Sequence, residues 1–262
     1  TPLARVHTDT RTLQPGDLFV ALKGERFDAN AFLPDARDAG AVAAVAHGGL
    51  EAAGLPGIEV PDSLAALGAL ATAWRAQFSL PLIGITGSNG KTTVTQMVAS
   101  ILRAWRGDAA FATQGNFNND IGVPLTLLRL RAEHAAAVIE MGMNHPGEIA
   151  TLAAIAQPTV ALVNNAQRAH LEGLGSLESV ARAKGEIFAG LGDGGTAVIN
   201  ADDPHAQVWI DLNQVRPMIR FGLDHEADMV ASAHDGLGEE LMQVRVDRET
   251  VDLKLPLAGR HN

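Results

Sequence analysis

Apolar positions along this chain follow two textures, and the change between them falls near residue 80. In the first stretch, Asp17 to Leu22 reads as a short strand leaving a Pro15-Gly16 turn. Asn30 to Ala39 reads as a helix, and Ala41 to Ala46 as a buried strand. Asp62 is placed to cap a helix running to about Phe78, with Leu64, Leu67, Leu70 and Trp74 at helical spacing for core packing. From Leu80 onward, strand, glycine turn and helix alternate. The strands are Leu82 to Thr86, Ala135 to Glu140, Thr159 to Asn164 and Thr196 to Asn200, separated by helices that start near Lys91, Pro146 and Leu177. That alternation predicts a parallel sheet covered on both faces. After Pro217 the runs become short and alternating (Met229 to Ala233, Leu241 to Val246, Val251 to Leu255), which predicts an antiparallel appendage. The chain shows no internal repeat and no low-complexity linker, so the texture change at Ser79-Leu80-Pro81 marks the boundary. The expected fold is α/β: a small N-terminal α/β domain over residues 1–80, then a mostly parallel-sheet domain over 81–262.

Bulk composition narrows the chemistry. With 262 residues, 47% of them apolar, the chain can fill one large core or two modest ones. Its formal charge of -10 argues against a nucleic-acid groove, which needs a net positive face. A local cationic pocket for a small phosphorylated ligand remains compatible with that charge. There is no cysteine, which excludes disulfides and thiolate metal sites and is compatible with a cytoplasmic location. No stretch approaches the roughly 20 apolar residues a membrane-spanning helix requires, so no membrane insertion is expected.

The strongest local signal is Ile83-Gly84-Ile85-Thr86-Gly87-Ser88-Asn89-Gly90-Lys91-Thr92-Thr93. An apolar strand enters a glycine turn and an apolar helix leaves it. Glycines let the backbone curl so that amides point at phosphate oxygens, and the helix N-terminus adds partial positive charge there. Lys91 would reach the outer phosphates of ATP, and the Thr92 hydroxyl is placed to ligate Mg²⁺. In the general phosphate-loop pattern the first position is glycine; here Ile85 occupies it, so a plain glycine turn before a helix is the competing reading. The absence of an Asn-Lys-x-Asp base-reading motif speaks against a GTPase.

Several segments in order along the chain resemble the Mur ligase family. The loop Thr86 to Thr93 is similar to the family's T-G-[TS]-N-G-K-T-T. Gly115-Asn116-Phe117-Asn118-Asn119-Asp120-Ile121-Gly122-Val123-Pro124 and Glu140-Met141-Gly142-Met143-Asn144-His145-Pro146-Gly147-Glu148-Ile149 resemble the member that adds D-alanyl-D-alanine. So do Asn164-Asn165-Ala166, Ala169-His170-Leu171-Glu172-Gly173 and Ala181-Arg182-Ala183-Lys184-Gly185-Glu186. Near the start, Asp9-Thr10-Arg11 and Gly16 to Gly24 resemble the family's UDP-sugar-binding domain. Asp28-Ala29-Asn30 departs from the family's usual Asp-Gly-His.

The resemblance implies an ATP- and Mg²⁺-dependent amide-bond ligase of peptidoglycan precursor synthesis. It would act on UDP-N-acetylmuramoyl-tripeptide and D-alanyl-D-alanine as a cytoplasmic monomer. It also implies a third, C-terminal domain beyond residue 262, without which the isolated chain is expected to bind and not turn over. Nucleotide contacts carry over to Gly87, Ser88, Asn89, Gly90, Lys91, Thr92, Thr93 and Asn262, the last beside the adenine. Substrate contacts carry over to Thr10, Arg11, Lys23, Asn116, Asn118 and Asn119. Metal ligands are Thr92, Glu140, His170 and a carbamylated Lys184; Lys91, Glu140, His170 and Lys184 form the catalytic set. Read without the resemblance, Glu140 is equally an ordinary strand-end acid, His170 a solvated loop residue, Lys184 a solvated helix lysine and the asparagines turn formers. Two alternatives stand beside the leading reading: another Mur-type or folate-type amide ligase, and, for this chain alone, a nucleotide- and UDP-sugar-binding module without turnover.

Overall fold

The computed structural model describes residues 3–24, 27–168, 175–234, 240–246 and 249–255. The chain divides into two compact units, residues 1–79 with 113–134 and residues 80–112 with 135–262.

The first unit is built on a four-stranded parallel sheet, β1 (Val6–His7), β2 (Leu18–Val20), β3 (Ala43–Ala46) and β4 (Gly57–Glu59), in that order. Phe19, Ala44 and Ala46 meet Leu33 and Ala36 of α1 (Leu33–Asp38) and Leu50 of α2 (Leu50–Ala53) in one core. Asp17 is buried just ahead of β2 and is answered by Arg5 (2.9 and 2.5 Å) and by the amide of Gln14 (2.8 Å). The single helix expected from Asn30 is interrupted: a 3₁₀ turn, Ala29–Phe32, precedes α1, whose first turn contains Pro34. Proline lacks the amide that would continue a helix begun upstream, so α1 starts afresh there.

Helix α3 (Ser63–Arg75) begins where Asp62 caps it, Oδ1 accepting from the amides of Leu64 (2.9 Å) and Ala65 (3.0 Å). Leu67 is fully buried, Leu64, Leu70 and Trp74 half-buried, and the Trp74 indole donates to the Leu130 carbonyl at 3.1 Å. In the same unit α3 packs on α5 (Gly122–Leu127). Asp62→Ala leaves two first-turn amides without their cap and is expected to destabilise the first unit by about 1 kcal/mol. A thermal melt reads this directly; an unshifted transition would contradict the role given to the cap.

The second unit carries a nine-stranded sheet in the order β13-β12-β11-β10-β9-β8-β5-β7-β6. Its strands are β5 (Leu82–Thr86), β6 (Ala110–Ala112), β7 (Ala136–Glu140), β8 (Val160–Val163), β9 (Thr196–Asn200), β10 (Met218–Gly222), β11 (Met229–His234), β12 (Glu240–Val246) and β13 (Glu249–Leu255). All pairs from β6 to β11 are parallel, and only β11–β12 and β12–β13 are antiparallel. Among the described residues four α-helices accompany it: α4 (Lys91–Arg106), α6 (Glu148–Ala156), α7 (Leu177–Gly185) and α8 (Ala206–Leu212). The fold is α/β with a mostly parallel sheet. The antiparallel run expected after Pro217 is present as β11 to β13, and β10, which pairs parallel with both β9 and β11, joins it to the main sheet. Among the described residues no helix is long and apolar enough to cross a membrane.

Candidate nucleotide site

Neighbouring strands β5 and β7 lie side by side in register, Ile85 opposite Glu140, so the turn after β5 opens next to the Glu140 carboxylate. Every residue of β7 is buried, Glu140 included at 1% exposure. The Thr86 hydroxyl donates to the Met141 carbonyl (2.9 Å), tying the two strand ends together. A Cβ on Gly87 would sit 3.0 Å from Cβ of Asn164, just past β8, so a side chain there would force that residue back by a few tenths of an ångström. Gly90 occupies the left-handed region (φ 75°) at the N-cap of α4, a conformation that admits glycine most readily. The first intrahelical bond runs from the Val94 amide to the Gly90 carbonyl, so the amides of Lys91, Thr92 and Thr93 precede it. With Thr92 and Thr93 exposed, this first turn is the anion-seeking end of the helix.

Not every loop amide is turned toward that space. The segment following β8 grips the other side of the loop. Asn165 Oδ1 accepts from the amides of Ser88 (3.1 Å) and Asn89 (3.0 Å), while Asn164 and Asn165 both donate to the Asn89 carbonyl (2.9 and 3.1 Å). The Gln167 amide donates to Ser88 Oγ (2.9 Å), and Asn89 donates to Gln167 Oε1 (2.6 Å). Sequence reasoning did not count Asn164, Asn165 or Gln167 as site residues. The available signal was a pair of asparagines directly after an apolar strand that neighbours the loop strand.

Lys91 folds back over its own loop, Nζ donating to the carbonyls of Gly87 (3.0 Å) and Ser88 (3.3 Å). Burial lowers its pKa, and the nearby Glu140 charge opposes that shift. Lys184 is fully buried, and its Nζ has no hydrogen-bond partner among the described residues. Ser176 caps α7 by accepting from the Ser179 amide (3.1 Å), and Val180, Ala181 and Lys184 share the buried face. Burial first, then the Lys91 charge, holds the Lys184 ammonium down to about 8, against the pull of Glu186 and Glu148. Glu186 itself caps α6, accepting from the amides of Gly147 (2.9 Å) and Ala150 (3.2 Å).

The remaining expected residues divide between the first unit and the undescribed parts. Asn119 Oδ1 accepts from the Gly122 amide (2.8 Å) at the start of α5, and the Asn118 amide donates to the Asn116 carbonyl (2.8 Å), both turn-forming bonds. Thr10 lies half-buried between β1 and β2. Arg11 chelates Asp9 (2.6 Å), which holds that carboxyl down at about 2. Lys23 stands 3.8 Å from Asp28, whose carboxylate also meets His47 (2.9 Å). Asn30, at the departure from the family pattern, donates to the Gly48 carbonyl (2.6 Å). His170 and Asn262 lie outside the described residues. Among the described residues no three His, Cys, Asp or Glu side chains gather as a metal cluster.

A mostly parallel sheet with an interior strand that runs through a glycine turn into a helix headed by lysine and threonine defines a phosphate-loop nucleotide-binding α/β protein. The chain belongs to the Mur ligase family: residues 85–262 match the Mur ligase middle domain, and residues 3–75 match the Mur ligase family catalytic domain. It is 46% identical over 262 residues to the UDP-N-acetylmuramoyl-tripeptide–D-alanyl-D-alanine ligase of Escherichia coli K12, covering 99% of this chain and 57% of that protein. The crystal structure of MurF from Acinetobacter baumannii superposes with a TM-score of 0.92 at 36% identity, covering 98% of this chain and 56% of that one. MurF ligase from Thermotoga maritima, solved in complex with ADP, gives 0.84 at 31% identity, covering 95% of this chain and 57% of that one. The chain thus spans a little over half the length of the relatives it matches.

Proposed function

We propose that the protein carrying this chain is an ATP-dependent ligase that joins D-alanyl-D-alanine to UDP-N-acetylmuramoyl-tripeptide, a monomeric cytoplasmic enzyme of peptidoglycan precursor synthesis. The observation that carries this reading is the loop end itself, where Lys91 feels the charge of the buried Glu140, and the buried Lys184 that of Lys91, beside the exposed first turn of α4. The identity to named ligases of that specificity supports the choice of substrates.

In the first step a carboxylate oxygen of the tripeptide attacks the γ-phosphorus of ATP, and the bond to ADP breaks. The dipeptide amine then attacks the acyl carbon, loses a proton and expels phosphate, leaving an amide. The first step brings anions together, so its barrier depends on fixed positive charge. Lys91 would exchange its contacts with the Gly87 and Ser88 carbonyls for phosphate oxygens, joined by the amides of Lys91, Thr92 and Thr93. The donor set also fits Mg²⁺, a hard cation that commonly takes one or two protein oxygens and completes its shell from phosphate and water. Thr92 and the buried Glu140 would hold it, together with His170, and it would neutralise phosphate charge. Lys184 would serve as its carbamate: the neutral amine adds to carbon dioxide and releases a proton, turning a buried cation beside Lys91 into an anion. Asn262 would stand by the adenine, with Gly87, Ser88, Asn89 and Gly90 forming the loop. Thr10, Arg11, Lys23, Asn116, Asn118 and Asn119 would serve the UDP-linked substrate.

Phosphate release by the full-length protein, with the UDP-tripeptide and a panel of amines, tests the assignment. Release is expected with D-alanyl-D-alanine and at background level with single amino acids. Release driven by a single amino acid and not by the dipeptide would move the protein to another Mur-type ligase. For this chain by itself, its span of 57% of its E. coli relative favours a second reading, nucleotide and UDP-sugar binding without turnover. The same assay on this chain separates that reading from a complete enzyme.

A further inference from the structure

The segment that grips the phosphate loop has its own anchor, one layer further out. The ladder between β8 and β5 continues as far as the Asn164 amide, which donates to the Thr86 carbonyl (2.9 Å). Beyond it, residues 165–167 leave the sheet, yet together with the Asn164 side chain they bind Ser88 and Asn89. Among the described residues, the backbone of 164–167 is hydrogen-bonded to β5, to the loop, and to two side chains at and just past the end of β9. Asn200 Nδ2 donates to the Asn164 carbonyl (2.9 Å) while its Oδ1 accepts from the Asp202 amide (3.0 Å). Asp203 Oδ2 accepts from the Ala166 amide (2.7 Å) while Oδ1 accepts from the His205 amide (2.8 Å). Each side chain therefore fastens its own turn with one atom and the gripping segment with another. Asp203 is 8% exposed, so its bonds are shielded from water and geometrically demanding.

We propose that Asn200 and Asp203 are positioning residues for the nucleotide: they fix Asn164 to Gln167, which fixes the curl of the loop at Ser88 and Asn89 and so sets the first turn of α4. Among the described residues neither side chain has a hydrogen bond to the loop; Asn200 acts through the Asn164 carbonyl and Asp203 through the Ala166 amide. The inference rests on the nucleotide reading of the loop.

The test compares Asp203→Asn and Asn200→Ala with the unaltered protein. Asp203→Asn keeps the shape and turns one of two acceptor atoms into a donor facing a backbone amide. In ATP titrations with magnesium chloride the dissociation constant is expected to rise about tenfold for either variant. In the full-length protein KM for ATP should rise by a similar factor, with kcat and KM for the UDP-tripeptide within about twofold. Unchanged ATP affinity overturns the proposal. So does a parallel loss of kcat, both KM values and melting temperature, which would mark a merely structural role. If Asp203→Asn does not fold, Asn200→Ala and the double variant Asn165→Ala/Asn200→Ala decide. Effects on ATP affinity that fail to add support a shared route, and additive effects overturn it. If the unaltered protein binds no ATP, or Lys91→Ala binds it equally well, the nucleotide reading itself has failed. Normal ATP binding by the unaltered protein, lost in Lys91→Ala and intact in both anchor variants, removes the anchors alone.

Discussion

Lys91→Ala is expected to abolish measurable ATP binding by this chain and to slow acyl-phosphate formation by the full-length protein about a thousandfold. The reason is the sign of everything around it. Glu140 is buried beside the loop, and both the triphosphate and the substrate carboxylate bring further negative charge. Helix amides offer only partial charge, and the grip of Asn165 on Ser88 and Asn89 already engages two of the loop's donors. Arginine at this position is expected to rescue poorly, because its planar fork cannot fold back onto the Gly87 and Ser88 carbonyls as a compact ammonium does. Isothermal titration reads the affinity, and an unaltered value would sink the assignment of the loop. The same substitution removes a like charge from the neighbourhood of Lys184, whose basicity should climb back toward the ordinary lysine value.

The second large effect belongs to Lys184. In the full-length protein Lys184→Ala is expected to cost about a hundredfold in rate, at least what loss of a partner that orients a metal site commonly costs. Removing carbon dioxide from the buffer should slow the unaltered protein, and bicarbonate should restore it with the mass of one added carboxyl group. A rate indifferent to bicarbonate, with full activity in the alanine variant, would discard the carbamate. Without carbon dioxide the buried amine leaves a pH signature. Its folded pKa is about 8 against a usual 10.5. Below pH 8 both folded and unfolded chains carry the proton, and the folded chain bears the full burial penalty. Between about 8 and 10.5 the unfolded chain holds the proton and the folded chain does not, so stability rises with pH across that window. Lys184→Met should therefore stabilise the protein most below pH 8, with the gain fading toward pH 10.5. Denaturation curves at three pH values would expose a constant or absent gain.

Strands β5 and β9 were legible residue for residue, since Leu82–Thr86 and Thr196–Asn200 are apolar runs bounded by turn formers. The same holds for the starts of α3 and α4, where Asp62 and the Gly90-Lys91 step state the helix boundary locally. Other elements leave no such mark. Strand β6 has three residues, and α5 starts at a glycine with Pro124 inside it, so packing rather than propensity makes it helical. In the site, the motif from Thr86 to Thr93 announces itself, whereas the burial of Lys184 does not. Its neighbours Arg182 and Glu186 suggest a solvated helix face, and only the docking of α7 turns that lysine inward. The anchoring by Asn200 and Asp203 depends on two strands being adjacent, which no local spacing encodes.

The first unit is discontinuous in sequence, and this fixes an order on the ribosome. Trp74 cannot find the Leu130 carbonyl, nor α3 its packing partner α5, until the chain has been extended through residue 134. Until then a nascent chain holds the first four strands with one helix face uncovered, while β5 and α4 have already been synthesised. A gene fragment cut at residue 79 would freeze the protein in that half-dressed condition, and a chaperone-binding or aggregation-prone product is the expected consequence.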